Sequence, residues 1–358
     1  MKKAILSFVL VLIIYSAGAQ FVVTGKIMDS ATREPLSPAS VYCQNTTLGT
    51  VTSKDGEVSI ALKSGGYDLV FSFTGYQTQT VRVKENSHLE ILMIKEDKSM
   101  SEVVLKTSNE VADGWEKYGD FFVKNFIGTT PNSQHAVLEN PEVLKFYFSK
   151  RNNKLKVLAT EAVRISNKAL GYNLTYQLDS FVYHYNNHMN SYRGYCFFAE
   201  MEGDDSTNAA WAKARLEAYE GSKLHFLRSY YDSSLKEDGW IVDLLDEKND
   251  KKFGKIDPYD SAYYGAMDST MQIEIWFPRK ISVTYKKKSM EYDYLKKMNL
   301  PKNIPYIISY VDLRDAIAIT ENGWYYDQKD WVNQGYWSWK NLADLLPYDY
   351  VPPVPEDE

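Results

Sequence analysis

The sequence predicts a mainly β protein with helices, of the α+β class, built as two domains. Stretches in which hydrophobic and polar side chains alternate recur along most of the chain, and this period of two is typical of half-buried strands. Hydrophobic spacing of three and four, which is typical of helices, is confined to a few segments. Removing a leader of 19 residues from the 358 leaves 339, a length typical of about two domains.

The first 19 residues have the order of a signal peptide. Two lysines precede an apolar run over residues 4–15, and the small residues Ala17 and Ala19 frame a cleavage site before Gln20. The run is short for a membrane span, although an uncleaved anchor is the alternative. We therefore predict an exported protein that is periplasmic, outer-membrane-associated or secreted. Because no later stretch reaches about 18 apolar residues, we expect no transmembrane span in the mature chain.

The charge balance and the two cysteines limit the partners and cross-links to be expected. The chain has 41 Lys and Arg residues against 47 Asp and Glu residues, a formal net charge of −6. Because nucleic-acid phosphates require a basic surface, we expect no nucleic-acid partner. The triplet Lys286-Lys287-Lys288 is interpreted as a solvated strand end. Cys43 and Cys196 are expected to be separate, mostly buried thiols, although an oxidising compartment permits a disulfide.

Residues 20–107 are predicted to form a β-sandwich. Turn residues such as Asp55-Gly56 and Gly65-Gly66 accept the positive φ that tight hairpins need. Strands separated by about 8–12 residues, with no helical stretch, are typical of a sandwich. The strands are indicated by alternating hydrophobic residues at 21–27, 58–62, 67–73 and 89–93.

The same segment carries short motifs in a specific order: Val23-Thr24-Gly25-Lys26-Ile27, Glu34-Pro35-Leu36, Ala39-Ser40-Val41, Gly49-Thr50-Val51-Thr52, Asp55-Gly56 and Phe71-Ser72-Phe73-Thr74-Gly75-Tyr76. In this order they resemble the carboxypeptidase-regulatory-like (carboxypeptidase D regulatory-like) domain, as found in exported Bacteroidota proteins. The resemblance implies a seven-stranded-type β-sandwich, similar to transthyretin (prealbumin), that serves as an accessory module. Glu102-Val103-Val104 resembles the segment that follows this domain in outer-membrane receptors and leads toward a TonB-interacting stretch.

Residues 112–350 are predicted to form a separate α+β domain that begins with a helix. Trp115, Tyr118, Phe122 and Phe126 recur at helical spacing. The segment carries four further motifs: Asn140-Pro141-Glu142-Val143-Leu144, Leu170-Gly171-Tyr172, His225-Phe226-Leu227-Arg228 and the run from Trp339 to Tyr350. In these it resembles a segment that follows the sandwich in other exported Bacteroidota proteins, and that resemblance implies no activity for it. Mixed antiparallel strands are indicated where hydrophobic residues alternate, at 144–148, 155–159, 271–277, 281–285 and 317–319.

A long strand and a helical corner are the most specific local predictions for this domain. The hydrophobic phase of residues 172–185 shifts by one, which predicts a β-bulge near Asp179-Ser180. Residues 206–235 have helical spacing that Gly221-Ser222 interrupts. Because Gly ends a helix in the left-handed conformation and Ser caps the next one, we predict a helix, a tight corner and a second helix.

The last part of the chain is rich in Trp and Tyr. Residues 335–346 are predicted to form a short amphipathic C-terminal helix, which Pro347 ends. We expect it to dock onto the sheet, with a partner-binding peptide as the alternative. Residues 351–358 are predicted to be a disordered tail.

Five residues near the predicted corner form a candidate ligand-binding site: Arg215, Tyr219, Ser222, His225 and Arg228. Their spacing of three and four brings several of them to one corner. Two interpretations remain open. Two arginines and a helix N-terminus suit an anion or carboxylate pocket. The same groups also suit a buried polar network that locks the corner.

The sequence contains no recognisable catalytic machinery. Metallopeptidase chemistry requires His and Glu ligands with a general base, and no His-Glu-x-x-His pattern is present. His184 and His188 are four apart but lack the third ligand that zinc requires. A Gly-x-Ser-x-Gly elbow and a phosphate loop are also absent. We therefore expect no enzyme, no metal, no cofactor and no catalytic residues.

Three functions remain open. The first is an exported, non-catalytic envelope protein that binds a protein or glycan partner, with the sandwich as a spacer or docking module. Its 28 Tyr, 15 Phe and 8 Trp residues supply aromatic surface for either partner. The second is a hydrolase of unfamiliar type with a pocket near Arg215, His225 and Arg228. The third, implied only by the resemblance, is an accessory component of a TonB-dependent nutrient-uptake system.

Overall fold

The computed structural model describes residues 20–63, 66–96, 109–246, 252–267, 272–325 and 328–353. They belong to two compact units: unit 1 is Met1–Gln44 with Leu48–Met100, and unit 2 is Asn45–Thr47 with Ser101–Glu358. The predicted signal peptide, the Glu102-Val103-Val104 segment and most of the predicted tail lie outside the described residues. The domain limits at 107 and 112 stay predictions.

Unit 1 contains two sheets around one hydrophobic core. Its strands are β1 (Gln20–Asp29), β2 (Ser40–Cys43), β3 (Gly49–Val51), β4 (Glu57–Lys63), β5 (Tyr67–Ser72), β6 (Gln79–Val83) and β7 (Ser87–Met93). One sheet has the order β4-β1-β7 and the other β3-β2-β5-β6. Both sheets contribute alternate residues to the core, such as Val23 from β1 and Leu69 from β5. Unit 1 is therefore sandwich-like, while the transthyretin-like topology stays a prediction.

A buried carboxylate joins two turns of unit 1. Asp29 accepts hydrogen bonds from the hydroxyl of Tyr76, across 2.6 Å, and from the backbone N–H groups of Ala31 and Thr32. The Tyr76 hydroxyl and these N–H groups hold the pKa of Asp29 well below its ordinary value. Tyr76 follows Gly75, whose φ of +84° bends the chain after β5.

Unit 2 contains three antiparallel sheets among its described residues. The first has the order β8 (Ala136–Leu138), β11 (Val163–Asn167), β12 (Tyr172–His184), β10 (Lys154–Ala159), β9 (Leu144–Ser149), and β13 (Met189–Glu200) also pairs with β12. The second is β15 (Lys252–Lys255), β14 (Trp240–Leu245), β18 (Ile281–Tyr285), β19 (Ile307–Leu313), β21 (Trp331–Gly335). The third is β16 (Tyr264–Met267), β17 (Gln272–Ile275), β20 (Ile317–Thr320).

Five α-helices lie among the described residues of unit 2: α1 (Gly114–Phe126), α2 (Asp205–Tyr219), α3 (Lys223–Tyr231), α4 (Tyr292–Lys297) and α5 (Tyr336–Trp339). Turns of 3-10 helix occupy Asn132–His135, Pro141–Val143, Gln328–Asp330 and Leu342–Asp344. The predicted mainly β architecture with helices is therefore confirmed.

Two large hydrophobic cores organise unit 2, and a third, small cluster has four buried residues. In the first, α1 packs Phe122 and Phe126, both fully buried, against the six-stranded sheet. The second core joins α3, the other two sheets and the aromatic side chains of α5. Burying one side chain of this size stabilises a fold by about 1.5–3 kcal/mol, so each core contributes strongly to the stability of unit 2.

The local predictions for the long strand and the helical corner are confirmed. The register of β12 against β13 shifts between Leu178 and Ser180, where the hydrophobic phase predicts a bulge. The corner between α2 and α3 lies at Gly221 and Ser222. α3 ends at Tyr231, before the predicted end at residue 235, because Ser233 takes a left-handed φ of 58°.

The C-terminal helix is much shorter than predicted. α5 is a single turn, Lys340 and Asn341 are extended, and a 3-10 turn follows. The aromatic side chains of α5 belong to the core around α3, whereas Leu342 and Ala343 belong to the core around α1. Because a continuous helix does not direct both groups into their separate cores, the chain straightens between them.

The two cysteines and the lysine triplet have ordinary structural surroundings. Cys43 and Cys196 are buried thiols that form no disulfide. Burial raises the pKa of Cys196, which makes this thiol unreactive. Lys287, in the exposed segment after β18, donates from Nζ to the carbonyl oxygen of Glu237 across 2.9 Å.

Candidate functional site

The corner between α2 and α3 is built on a glycine. Gly221 has a φ of +75°, and a Cβ there would lie 2.7 Å from Cδ1 of Ile307 and 2.9 Å from Cδ1 of Tyr285. Ser222 caps α3, since its hydroxyl accepts the backbone N–H of His225 across 3.1 Å. The corner therefore requires a residue without a side chain followed by a capping hydroxyl.

His225 packs among aromatic rings. Its imidazole stacks on Tyr219, with 4.7 Å between ring centroids, and meets the rings of Trp240 and Tyr285 at 5.3 Å each. Nδ1 accepts the backbone N–H of Gly221 across 3.3 Å. Burial lowers the pKa of His225 to about 4, so the ring is neutral at neutral pH. In that state it supplies no positive charge to an anion.

Arg228 is bound to the C-terminal segment of the chain. Its guanidinium donates to the carbonyl oxygens of Asn322 at 3.0 Å, Tyr350 at 2.8 Å and Tyr348 at 2.9 Å. It also lies over the ring of Tyr219, 5.6 Å from the centroid. An incoming anion would have to compete with three backbone acceptors that already satisfy this cation.

Arg215 has a different set of partners. Its Nε donates to the carbonyl of Leu170 at 2.8 Å and Nη2 to that of Gly171 at 3.1 Å, while Nη1 pairs with Glu200 at 3.0 Å. The guanidinium lies 4.0 Å from the ring centroid of Tyr172. Tyr219, Ser222, His225 and Arg228 are thus joined by contacts at the corner, and Arg215 faces the strands β12 and β13. The anion pocket stays a prediction, and these contacts match its alternative, a polar network that locks the corner.

A surface groove lies beside Arg215. Its volume is about 580 Å³, and its lining comes from the end of β13, the following turn and α2. The lining residues are Glu200, Met201, Glu202, Gly203, Asn208, Trp211 and Arg215.

Trp211 is the aromatic side chain of this groove. Its indole Nε1 donates to the carbonyl of Lys168 across 2.9 Å, which fixes the orientation of the ring. A Cβ on Gly171 would lie 2.3 Å from Cδ2 of the indole, and one on Gly203 would lie 2.8 Å from Cζ3. The ring therefore rests on the backbone of two glycines and stays partly exposed.

The start of α2 fixes the polar wall of the groove. Asp204 caps the helix by accepting the backbone N–H of Thr207 across 2.8 Å. The side chain and backbone of Thr207 lower the pKa of Asp204. Asn208 donates to the carbonyl of Gly203 across 2.9 Å. The groove thus combines a rigid indole with carboxylate, amide and guanidinium groups, an arrangement that suits a ligand with both an apolar face and several hydroxyl groups.

A second cluster of charged residues lies near the C-terminal end of unit 2. Lys340 Nζ pairs with Glu291 at 2.6 Å and with Asp344 at 3.2 Å. Asp344 also accepts from Thr130 at 2.7 Å and Asn132 at 3.0 Å. Burial raises the pKa of Asp344 despite these partners. Burial acts in the same direction on Glu291, but Lys340 and the hydroxyl of Tyr336 hold its pKa below the ordinary value. These groups satisfy one another, as in a structural network.

The described part of the chain contains neither a candidate metal-ligand cluster nor a helix that could span a membrane. Among these residues, no group of three or more His, Cys, Asp or Glu side chains is placed to hold a metal ion. His184 ends β12, and His188 lies in the following turn with Nδ1 3.2 Å from the Tyr183 hydroxyl. None of the described helices is long and apolar enough to cross a membrane.

Sequence reasoning found Arg215 but missed most of the groove. Trp211 and Arg215 are four apart on α2, which places them on one face of the helix. The acidic run that contains Glu200 and Glu202 precedes the helix. These two signals together could have indicated the groove, whereas the role of Gly171, which is distant in sequence, could not be read without the fold.

Comparison with known proteins assigns the first unit. Residues 23–105 match the family model of the CarboxypepD_reg-like domain, so this part of the chain is a domain of that family, as its motifs predict. A TonB-dependent receptor, P39 of Formosa agariphila, is 36% identical over 105 residues, which are 28% of this chain and 10% of the receptor. The chain thus spans a tenth of the length of this relative.

Solved structures show only distant likeness. A cohesin–X-dockerin complex from Acetivibrio cellulolyticus is 24% identical and covers 20% of this chain and 56% of its own, with a TM-score of 0.18. A DUF3823 family protein from Bacteroides ovatus is 12% identical and covers 52% of this chain and 83% of its own, also with a TM-score of 0.18. At such TM-scores neither structure carries an argument about this chain.

Proposed function

We propose that this chain is an exported, non-catalytic envelope protein that binds a partner through the groove beside Trp211. The main observation behind this proposal is the indole of Trp211. It is rigid and partly exposed, and it packs on the backbone of two glycines among polar side chains. Of the two partner classes that the sequence leaves open, a glycan suits this lining better than a protein. A sugar ring presents an apolar face to an indole and hydroxyl groups to carboxylates and amides.

Three features support a binding role without catalysis. The regulatory-like domain of unit 1 belongs to a family named for regulation, and neither unit carries a recognisable catalytic motif. Arg215 is already paired with Glu200 and two carbonyl groups, so it is held in place beside the ligand. Unit 1 then serves as a spacer or docking module.

Affinity electrophoresis in gels that contain single soluble polysaccharides tests this function. We expect at least one polysaccharide to retard the chain, and Trp211→Ala to weaken that binding by about 2 kcal/mol, roughly thirtyfold, because aromatic anchors dominate such interfaces. Trp276→Ala is the matched control, since Trp276 is 40% exposed and lies outside the groove. Equal loss in both variants, or no retardation across a broad panel, would rule the proposal out.

The TonB-dependent receptor relative supports a second candidate, an accessory component of a TonB-dependent nutrient-uptake system. This candidate predicts that the chain co-purifies with an outer-membrane receptor from envelopes of its own organism after mild cross-linking. Deleting residues 20–44 and 48–96, which are the described part of unit 1, should abolish that association if unit 1 is the docking module. An unchanged set of co-purifying proteins after the deletion would contradict it.

A further inference from the structure

Unit 2 exposes several large apolar side chains within one short stretch. Tyr292 is 58% exposed, Met298 50%, Leu300 38% and Tyr306 37%. No other stretch of similar length among the described residues has so many. Single exposed apolar residues are normal, but a group of them marks a surface that binds a protein, a ligand or a membrane.

The stretch is held in a defined shape. Tyr294 and Leu295 of α4 are buried, and the Tyr294 ring lies 5.2 Å from that of Tyr336. After the helix, the backbone N–H of Leu300 donates to the carbonyl of Leu295 across 2.9 Å. The N–H of Met290 donates to the carbonyl of Ile304 across 3.3 Å, which returns the loop to its start. The four exposed apolar side chains therefore belong to a segment whose backbone is fixed at both ends.

The charges on this loop oppose those of the whole chain. Within residues 292–306, Lys296, Lys297 and Lys302 are exposed and Asp293 is the one acidic residue, so the stretch has a formal charge of +2. The full chain has a net charge of −6. Lys297 Nζ lies 3.1 Å from the hydroxyl of Thr129, an uncharged partner, so its positive charge is not neutralised there. A surface that is both apolar and basic is complementary to an anionic lipid interface.

We propose that residues 292–306, the basic loop, form a peripheral binding site for an anionic phospholipid bilayer. Met298 and Leu300 enter the boundary between headgroups and acyl chains. Tyr292 and Tyr306 lie at headgroup depth, where aromatic rings with one polar end are stable. Lys296 and Lys302 contact the lipid phosphates. Apolar insertion and lysine contacts act together, because either one alone binds a bilayer weakly.

Co-sedimentation with lipid vesicles tests the proposal on the chain from Gln20 onward, which contains every residue that the structure describes. Vesicles of phosphatidylglycerol and phosphatidylcholine in equal parts should bind it, and vesicles of phosphatidylcholine alone should bind it far less. Binding to the mixed vesicles should fall in about 0.5 M NaCl, where exposed charges are screened. Equal binding to both vesicle types, or to neither, would overturn the proposal.

Two pairs of variants assign the binding to this loop. Met298→Ser/Leu300→Ser should weaken vesicle binding about tenfold or more, since two apolar side chains no longer leave water. Its control is Met189→Ser/Leu345→Ser, which alters residues of 43% and 38% exposure elsewhere in unit 2. Lys296→Ser/Lys302→Ser should weaken binding about fivefold per lysine. Its control removes the exposed Lys145 and Lys213.

Two further outcomes would count against a lipid partner. If each control weakens binding as much as its test variant, the basic loop is not the site. If the chain forms dimers in sedimentation equilibrium and Met298→Ser/Leu300→Ser abolishes them without changing vesicle binding, the exposed apolar side chains serve self-association instead. Circular dichroism of each variant separates these results from a loss of folding.

Discussion

The indole of Trp337 donates its N–H to the backbone carbonyl of Gly221 across 2.8 Å, deep in unit 2. This bond joins the corner between α2 and α3 to the single turn of α5. Both residues are buried, so the carbonyl has no access to bulk water as a substitute partner. The corner and the C-terminal segment therefore depend on each other.

Gly221→Ala should destabilise unit 2 by about 2–4 kcal/mol. The added Cβ would have to tolerate a φ of +75° and contacts of 2.7 Å and 2.9 Å with Ile307 and Tyr285. Urea unfolding followed by circular dichroism measures the loss. Gly265→Ala is the control, because a Cβ there meets nothing within 4 Å. A change below about 1 kcal/mol for Gly221→Ala would show that the corner relaxes.

Arg228→Ala should release the C-terminal segment. Three backbone acceptors lose a charged donor, at a cost of about 3 kcal/mol or more. Hydrogen exchange with mass spectrometry should show faster exchange in the peptide that contains Tyr348 and Tyr350. Arg228→Lys should recover only part of the protection, because an ammonium lacks the planar fork. The exposed Arg164→Ala should leave exchange in this peptide unchanged.

His225 should make unit 2 less stable in acid. Its pKa is about 4 in the folded chain against about 6.5 in an unfolded one, so the unfolded state binds more protons between these values. The contribution of neutral His225 to the free energy of unfolding is fully present above about pH 6.5. It falls by up to about 3 kcal/mol as the pH approaches 4. Unfolding midpoints measured at several pH values should follow this course, and His225→Phe should flatten it. A folded imidazole that titrates near 6.5 by NMR would contradict the argument.

Lys340→Met should destabilise unit 2 by about 3 kcal/mol at neutral pH, because it leaves two partly or fully buried carboxylates without their shared cation. The pKa of Asp344 is already raised by burial, and the substitution should raise it further. A carboxyl whose folded pKa is raised binds its proton more tightly when folded, so the deficit should shrink as the pH falls. Unfolding at pH 8 and pH 5 checks this, and Lys340→Met/Glu291→Gln should be less damaging than the single substitution.

The sequence predicted features that depend on neighbouring residues better than features that depend on packing between distant segments. The bulge at Leu178/Ser180 followed from a one-residue phase shift, and the corner at Gly221 followed from backbone and capping preferences. Both depend on neighbours in the chain. The C-terminal helix was overestimated because the aromatic residues of α5 and the pair Leu342 and Ala343 pack into different cores, a fact that spacing does not contain.

The candidate site divides in the same way. Of the five residues that the pattern on α2 and α3 grouped, Tyr219, Ser222, His225 and Arg228 are joined by contacts at the corner. The fifth, Arg215, binds the strands β12 and β13 instead. The pattern did not indicate that the arginine donors are used by carbonyl groups of residues as distant in sequence as Tyr350. The position of Trp211 depends on Gly171, which belongs to the turn before β12. Contacts between residues so distant in sequence depend on the tertiary fold, so local sequence patterns do not predict them.

The pairing of β1 in unit 1 has a consequence for the order of folding. β1 is the first strand of the unit, yet it is the middle strand of its sheet, and one of its two neighbours is β7, the last strand. Val23 pairs with Ser87, so the three-stranded sheet stays incomplete until nearly the whole unit has emerged from the machinery that makes or transports it. Contacts of such long range slow the formation of a β-domain. Unit 1 should therefore fold only after its synthesis is complete, and a chain that stops before β7 would leave one edge of β1 open to pairing with other chains.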